Sequence, residues 1–305
     1  MHAHIPSTPA VDLNIHSLEI LKYPRTPHIE GSRLQAGDED QSHVLLATLA
    51  HQHAVIEEKL DGANAAISFT AAGDMLLQSR GHYLVGGGRE RQFAPFRQWA
   101  QAHEGRLLER LEDRYVLYGE WLYAKHSVSY DQLPHYFCEF DIFDKHEQVF
   151  LSTVRRQTLL HGSPVVSVPV LHAGPVPAKP KHLVAMVQHS LAKSSAWRAS
   201  FETAVLRQHL DLDLCWQQTD KSDLSEGLYI KVEDAYQVLG RFKWVRPDFV
   251  QTILDSGSHH STRPIVPNGL VDGVDLYAPV PTVGWKINAG AVDGHTEQRC
   301  AKESP

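Results

Sequence analysis

Two apolar runs of β-type spacing, one ending at Val55-Ile56 and one covering Ala63-Asn64-Ala65-Ala66-Ile67, are joined by Glu57-Glu58-Lys59-Leu60-Asp61-Gly62. The Asp-Gly pair is a turn signal, so the segment predicts a strand over 55–58, a tight turn, and a second strand over 65–70. Lys59 then lies at a strand end, where an amine is partly dehydrated. Dehydration and nearby positive charge lower a lysine's pKa and free a nucleophilic amine near neutral pH. Lys-x-Asp-Gly alone arises by chance in roughly 5–10% of chains of this length. Its weight therefore depends on the segments downstream of it.

Five further segments carry residue types suited to nucleotide-phosphate chemistry. Gln78-Ser79-Arg80-Gly81 sets an arginine beside a glycine, and Tyr115 to Trp121 puts Glu120 at the end of a β-type run. Tyr136 to Asp144 is an aromatic-rich strand candidate. Ser225-Glu226-Gly227-Leu228-Tyr229-Ile230-Lys231 supplies a second carboxylate and a lysine. In Gly240-Arg241-Phe242-Lys243-Trp244-Val245-Arg246, Arg241 and Lys243 share one strand face and Arg246 falls out of register.

The remaining pattern is mixed. Residues 1–10 are polar and read as an arm, and residues 11–15 alternate as an edge strand would. Residues 44–50 predict a short helix with Ser42 as its N-cap. Residues 71–74 read as a hairpin turn leading to a strand over 75–78, and residues 86–88 as a glycine loop. Between 93 and 111, Phe96, Trp99, Ala100, Leu107, Leu108 and Leu111 recur at helical spacing. Strands follow at 115–122 and 136–143, a Pro-rich loop at 174–180, one or two helices within 181–210, and strands at 227–232 and 237–245. The sequence predicts an α+β domain over 11–250 and a short tail over 251–305.

The six segments together resemble the covalent nucleotidyltransferases, the polynucleotide ligases and messenger-RNA capping enzymes, and most specifically the ATP-dependent RNA ligases. The run from Gly119-Glu120-Trp121 through Lys125-His126-Ser127 to Phe140-Asp141 is similar to the bacterial RNA-ligase branch. The resemblance implies antiparallel sheets flanked by helices around a nucleotide groove, and ATP and Mg²⁺ as cofactors. Lys59 takes the place of the adenylylated lysine, and Asn64 that of an asparagine reading the 5′-phosphate end. Arg80 lies near the ribose and the nucleic-acid end. Glu120 and Glu226 match the motif glutamates near ribose, metal and lysine. Phe140 stands in the segment that stacks on adenine, with Phe137 as an alternative. Lys231, Arg241 and Lys243 converge on the triphosphate, Lys243 at the α-phosphate. The family's usual Lys-x-Lys reads Arg241-Phe242-Lys243 here, replacing a point charge by a planar fork. Arg33, in the stretch that resembles the start of this branch, is a further candidate for phosphate contact.

The resemblance implies sealing of RNA 5′-phosphate and 3′-hydroxyl ends through lysyl-AMP and an adenylylated 5′ end. A DNA ligase, a GTP-dependent capping enzyme and a non-catalytic end-binding module are its rivals. The short tail is poorly patterned for the OB-fold of DNA ligases and capping enzymes. Gly86-Gly87-Gly88 lacks the following Gly-Lys-Ser/Thr of a phosphate loop, so an end-healing kinase or phosphatase is expected to be a separate protein.

Composition narrows the setting. The net charge of −7 disfavours a broad basic surface and points to a restricted groove, with local arginines at Arg80, Arg89, Arg91 and Arg97. Three widely spaced cysteines suit neither a disulfide framework nor a zinc site, so the expected compartment is the cytoplasm. Among the 20 histidines, the pairs at His51/His53 and His259/His260 lack carboxylate or thiolate partners at zinc spacing. No apolar run is long enough to span a bilayer.

Overall fold

The computed structural model describes residues 19–34, 43–249 and 264–286. The expected arm over 1–10, edge strand over 11–15 and cap at Ser42 lie outside them. The strands are β1 (His28–Ile29), β2 (His43–Val44), β3 (His53–Lys59), β4 (Ala63–Phe69), β5 (Met75–Ser79), β6 (Tyr115–Trp121), β7 (Phe137–Asp144), β8 (Val149–Phe150), β9 (Val166–Ser167), β10 (Val170–Pro175), β11 (Gly227–Glu233) and β12 (Val238–Val245). The helices are α1 (Ala94–Ala102), α2 (Glu104–Leu111), α3 (Thr153–Leu160), α4 (Pro180–Val184), α5 (Trp197–Arg207) and α6 (Leu212–Gln217).

The strands form two sheets, ordered β10-β3-β11-β12-β1-β2 and β5-β4-β6-β7-β8, with β9 beside β7. Pairing is antiparallel except for β1 with β12, β1 with β2, and β7 with β9. This is an α+β fold with mainly antiparallel sheets flanked by helices. The chain changes sheets at the Lys59–Gly62 turn: β3 lies in the first sheet and β4 in the second. That crossing sets the nucleophile candidate on the seam between them.

Alternation in β4 and β6 explains the layering. Ala65, Ile67, Phe69, Leu117 and Trp121 face a core with Phe96 and Trp99 of α1 and Leu107 and Leu111 of α2. The intervening Ala66, Val116 and Tyr118 turn the other way, onto Tyr23 and the aromatic rings of Phe140, Phe143 and Tyr229. The first sheet buries Ile56, Leu228, Ile230 and Trp244 against Leu46, Leu49 and Leu183. The helical span expected over 93–111 breaks at His103, whose φ of −111° and ψ of 9° are not helical. The short helix expected over 44–50 is a 3₁₀ turn, Leu46–Leu49.

Three features depart from the sequence pattern. Part of the Pro-rich stretch extends β10, which pairs with β3 at the sheet edge where proline is tolerated. The α3 and α6 helices carry too little apolar periodicity to be read in advance. Residues 264–286, assigned to the tail, lie against the domain. Asn268 Nδ2 donates to Leu122 O at 2.7 Å, its Oδ1 accepts from Tyr130 N at 2.9 Å, and Trp285 Nε1 donates to Ser167 O at 2.7 Å.

Candidate functional site

A cavity of about 560 Å³ opens on the seam, lined by Lys59, Asp61, Gly62, Asn64, Arg80, Glu120, Phe140 and Lys243, among others. Six of the ten candidate site residues thus meet in one place. Local structure explains how. β11 pairs with β3 so that Gly227 faces Lys59, and Glu226, one residue earlier, accepts a hydrogen bond from Lys59 Nζ at 2.7 Å. A Cβ at Gly227 would stand 2.0 Å from Trp244 O, so only glycine lets the strands close at this point. Glu120 faces Asn64 across β6 and β4, and its Oε1 accepts from Gly62 N at 2.9 Å. Asp61 is committed to structure: its Oδ2 accepts from Ser127 N and Val128 N at 2.7 and 2.8 Å.

The electrostatics of Lys59 correct the sequence expectation. Burial presses the amine toward its neutral form, but Glu226, Glu120 and Asp61 outweigh burial and hold its pKa above the ordinary lysine value. Without substrate, carboxylates rather than cations dominate its surroundings. Glu120 is affected in turn. Burial pushes it up to about 8, with Asp61 and Glu226 adding and Lys59 opposing. It therefore sits close to neutrality as a proton donor or acceptor.

β7 breaks its register with β6 at Phe140. Tyr118 pairs with Asp141 and Gly119 with Glu139, which leaves Phe140 as the extra residue of a β-bulge. The bulge lets Phe140 and Asp141 both serve the seam, where strict alternation would divide them. Phe137, the alternative stacking residue, is fully buried in the helix-facing core. The Phe140 carbonyl accepts from Lys231 Nζ and from Arg156 Nη1, the latter at 2.6 Å.

Lys231 is accordingly not a wall of the cavity. It is fully buried, 2.8 Å from Glu57 and 3.3 Å from Asp141, and Arg156 pairs with Glu57 at 2.8 Å and Glu139 at 2.5 Å. The expected triphosphate contact is replaced by a buried five-charge network that anchors the bulge from beneath. Arg241 is also displaced from its expected role. Its guanidinium lies 3.7 Å from the Phe150 ring centre and 5.2 Å from that of Tyr23, a cation–π position behind the wall. Arg33 is exposed and lies outside the cavity lining, and it donates to Pro247 O at 2.9 Å. Arg246, out of register in the sequence, is buried with Asp220 and holds Ser225 O at 3.0 Å.

Other cavity residues were given no role from the sequence. Tyr23 and Thr26 come from the segment preceding β1, and Tyr229 from β11; all three line the cavity. Tyr23 donates to Asp141 in the second sheet and meets Tyr229 in the first, so it ties the sheets together. Its ring stands 5.0 Å from Phe140 in an edge-on arrangement and backs that side chain. Asn64 Oδ1 is buried without a hydrogen-bond partner among the described residues, an acceptor open to a ligand.

No group of three or more metal-type side chains converges among the described residues. The donor set beside Lys59 is Glu120 and Glu226, all oxygen, and it fits a magnesium ion that takes one or two carboxylates with water and phosphate oxygens.

The RNA ligase family model matches residues 52–245, well over half of the chain. The chain belongs to the RNA ligase family. Residues 52–245 include all of β3 to β12, whereas Tyr23 and Thr26 precede them. Among solved structures, it is similar to Naegleria gruberi RNA ligase with pyrophosphate, at 20% identity over 81% of this chain and 64% of that one, TM-score 0.47. An alanine mutant of the same ligase with ATP and manganese matches at 19% identity, 66% and 52% coverage and TM-score 0.43. A methionine mutant with AMP and manganese matches at 18% identity, 72% and 59% coverage and TM-score 0.43. The chain thus spans 52–64% of the length of those proteins. No curated protein matches it. Among the described residues, no helix is long and apolar enough to cross a membrane.

Proposed function

We propose that this RNA ligase family member is an ATP-dependent enzyme that joins RNA 5′-phosphate and 3′-hydroxyl ends by covalent nucleotidyl transfer. The observation that carries the reading is the Lys59 amine, in the lining of a cavity of about 560 Å³ and hydrogen-bonded at 2.7 Å to Glu226. Lys59 Nζ attacks the α-phosphorus of ATP, forming the P–N bond as the bond to pyrophosphate breaks. The amine must lose a proton to do so. Glu226, already bonded to it, is the nearest acceptor.

Lys243 on the cavity wall and Arg80 at its rim supply positive charge where the phosphates arrive. Their field, with that of a divalent cation held by Glu120 and Glu226, would neutralise the phosphates during the displacement. Phe140, fixed through its carbonyl by Lys231 and Arg156, stacks on the base, worth about 1–3 kcal/mol. Asn64 would then meet the 5′-phosphate end of the RNA. A separate kinase or phosphatase would prepare ends that arrive in the wrong state.

The test is incubation with magnesium and α-labelled ATP, followed by denaturing electrophoresis. The expected result is a labelled band that pyrophosphate reverses and Lys59→Ala removes. Label with GTP alone would favour a capping-type reaction. RNA binding without label from ATP, GTP or NAD would favour a non-catalytic end binder.

A further inference from the structure

A second cavity, of about 610 Å³, lies beside the first and shares Glu58 with its lining. It is walled by Lys193, Lys286, His172 and His189, with Gln132, Gln188, Ser194 and Ser225 adding neutral hydrogen-bonding groups. Glu58 is the one acid in that lining. Its oxygens already accept from Ser190 Oγ at 2.6 Å and Leu191 N at 3.0 Å, and burial raises its pKa. In a chain of net charge −7, this lining sets two lysines against one satisfied carboxylate, among apolar residues such as Val170, Leu171, Met186 and Val271.

Two observations tie it to a ligand close to the chemistry. Ser225 is 2% exposed, and its Oγ has no hydrogen-bond partner among the described residues. A buried hydroxyl is seldom left so unless something else meets it. Ser225 is also followed at once by Glu226, as Glu58 is by Lys59. β3 and the two residues just before β11 thus each lend one residue to this cavity and the next to the Lys59 pair. Lys193, which lies 4.1 Å over the Trp197 ring and donates to Ser222 O at 2.7 Å, is pushed down to about 8 by burial, which outweighs the carboxylates of Asp220 and Asp223 nearby. An anion beside it would favour its charged form.

We propose that this cavity binds backbone phosphates of the RNA strand whose end is brought to Lys59. The inference rests on the RNA ligase reading for its ligand. Hydroxyl, imidazole and ammonium donors suit phosphodiester oxygens and carry no base code, in keeping with strand holding rather than sequence readout.

The experiment reverses charge at two exposed positions, Lys286→Glu with His189→Glu, and measures binding of a short 5′-phosphorylated single-stranded RNA across a salt series. The expected result is about tenfold weaker binding and a log–log salt slope shallower by about 0.7 for each phosphate no longer neutralised. Unchanged affinity and slope would overturn the proposal. Self-labelling with ATP alone, measured on the same preparation, reports separately on Lys59. If the unmutated protein takes no label, the ligase reading fails while the binding result still judges the cavity. As a measurement independent of any variant, 4-thiouridine RNA should crosslink to 186–194 or 284–286 of the intact chain. Crosslinks confined to other segments would refute the site.

Discussion

Replacing Glu226 by glutamine isolates the charge that governs Lys59. The substitution keeps the size of the side chain and one oxygen able to accept from Nζ, so the 2.7 Å contact survives as a hydrogen bond to a neutral group. A hydrogen bond to a charged partner contributes about 1.5–3 kcal/mol and a neutral one about 1. Glu226 is 1% and Lys59 23% exposed, so solvent screens the pair only in part. The difference, about 1–2 kcal/mol, would lower Tm by roughly 2–8 °C for a domain of this size. Because Lys59 is held above its ordinary pKa, its pairing energy is present in full below about pH 10.4. It fades as pH rises through the higher folded value. The gap between the two proteins should therefore be constant at neutral pH and shrink in strong alkali.

Chemistry should respond differently. Loss of the acceptor should slow single-turnover labelling by about 10²–10⁴-fold. The surviving activity should rise at lower pH than in the unmutated protein, because a negative neighbour that favoured the ammonium has gone. The assay is the rate of covalent labelling by α-labelled ATP against pH, alongside thermal melts. A profile that stays in place, or moves to higher pH, would refute the role given to Glu226.

Phe140→Ala should raise KM for ATP roughly 5- to 150-fold, the equivalent of about 1–3 kcal/mol, with Phe140→Trp largely restoring it; an unchanged KM would remove the ring from the nucleotide site. Arg156→Met leaves Glu57 and Glu139 buried without their shared partner and should cost about 3–5 kcal/mol in urea unfolding. Glu120→Gln should abolish labelling yet raise Tm more at pH 9 than at pH 5. A carboxylate whose folded pKa is about 8 is penalised increasingly as pH climbs from the unfolded value toward 8. Arg33→Ala should leave the labelling rate within about twofold, since the side chain only braces Pro247; a large loss would return Arg33 to the phosphate site.

Much of the site was legible because its signals are local. A lysine before an Asp-Gly turn, a carboxylate closing a β-type run and a glutamate before a strand-starting glycine are features of a few consecutive residues. Their shared motif order brought Lys59, Glu120, Glu226, Asn64, Arg80, Phe140 and Lys243 into view. The two sheets were likewise visible as runs of period two, and α1 and α2 as apolar residues at helical spacing. Three things required the tertiary structure. The fate of Lys231 and Arg241 depends on what packs against them: one is buried between Glu57 and Asp141, the other laid on Phe150. Which of Phe137 and Phe140 faces the cavity depends on which face of β7 packs on the helices, and a bulge at Phe140 then turns Asp141 to the same side as Phe140. The charge state of Lys59 is a sum over Glu226, Glu120 and Asp61, two of which are distant in sequence. Sequence order records which charged groups a chain carries, but burial and Coulomb energy depend on distances that only the folded chain establishes.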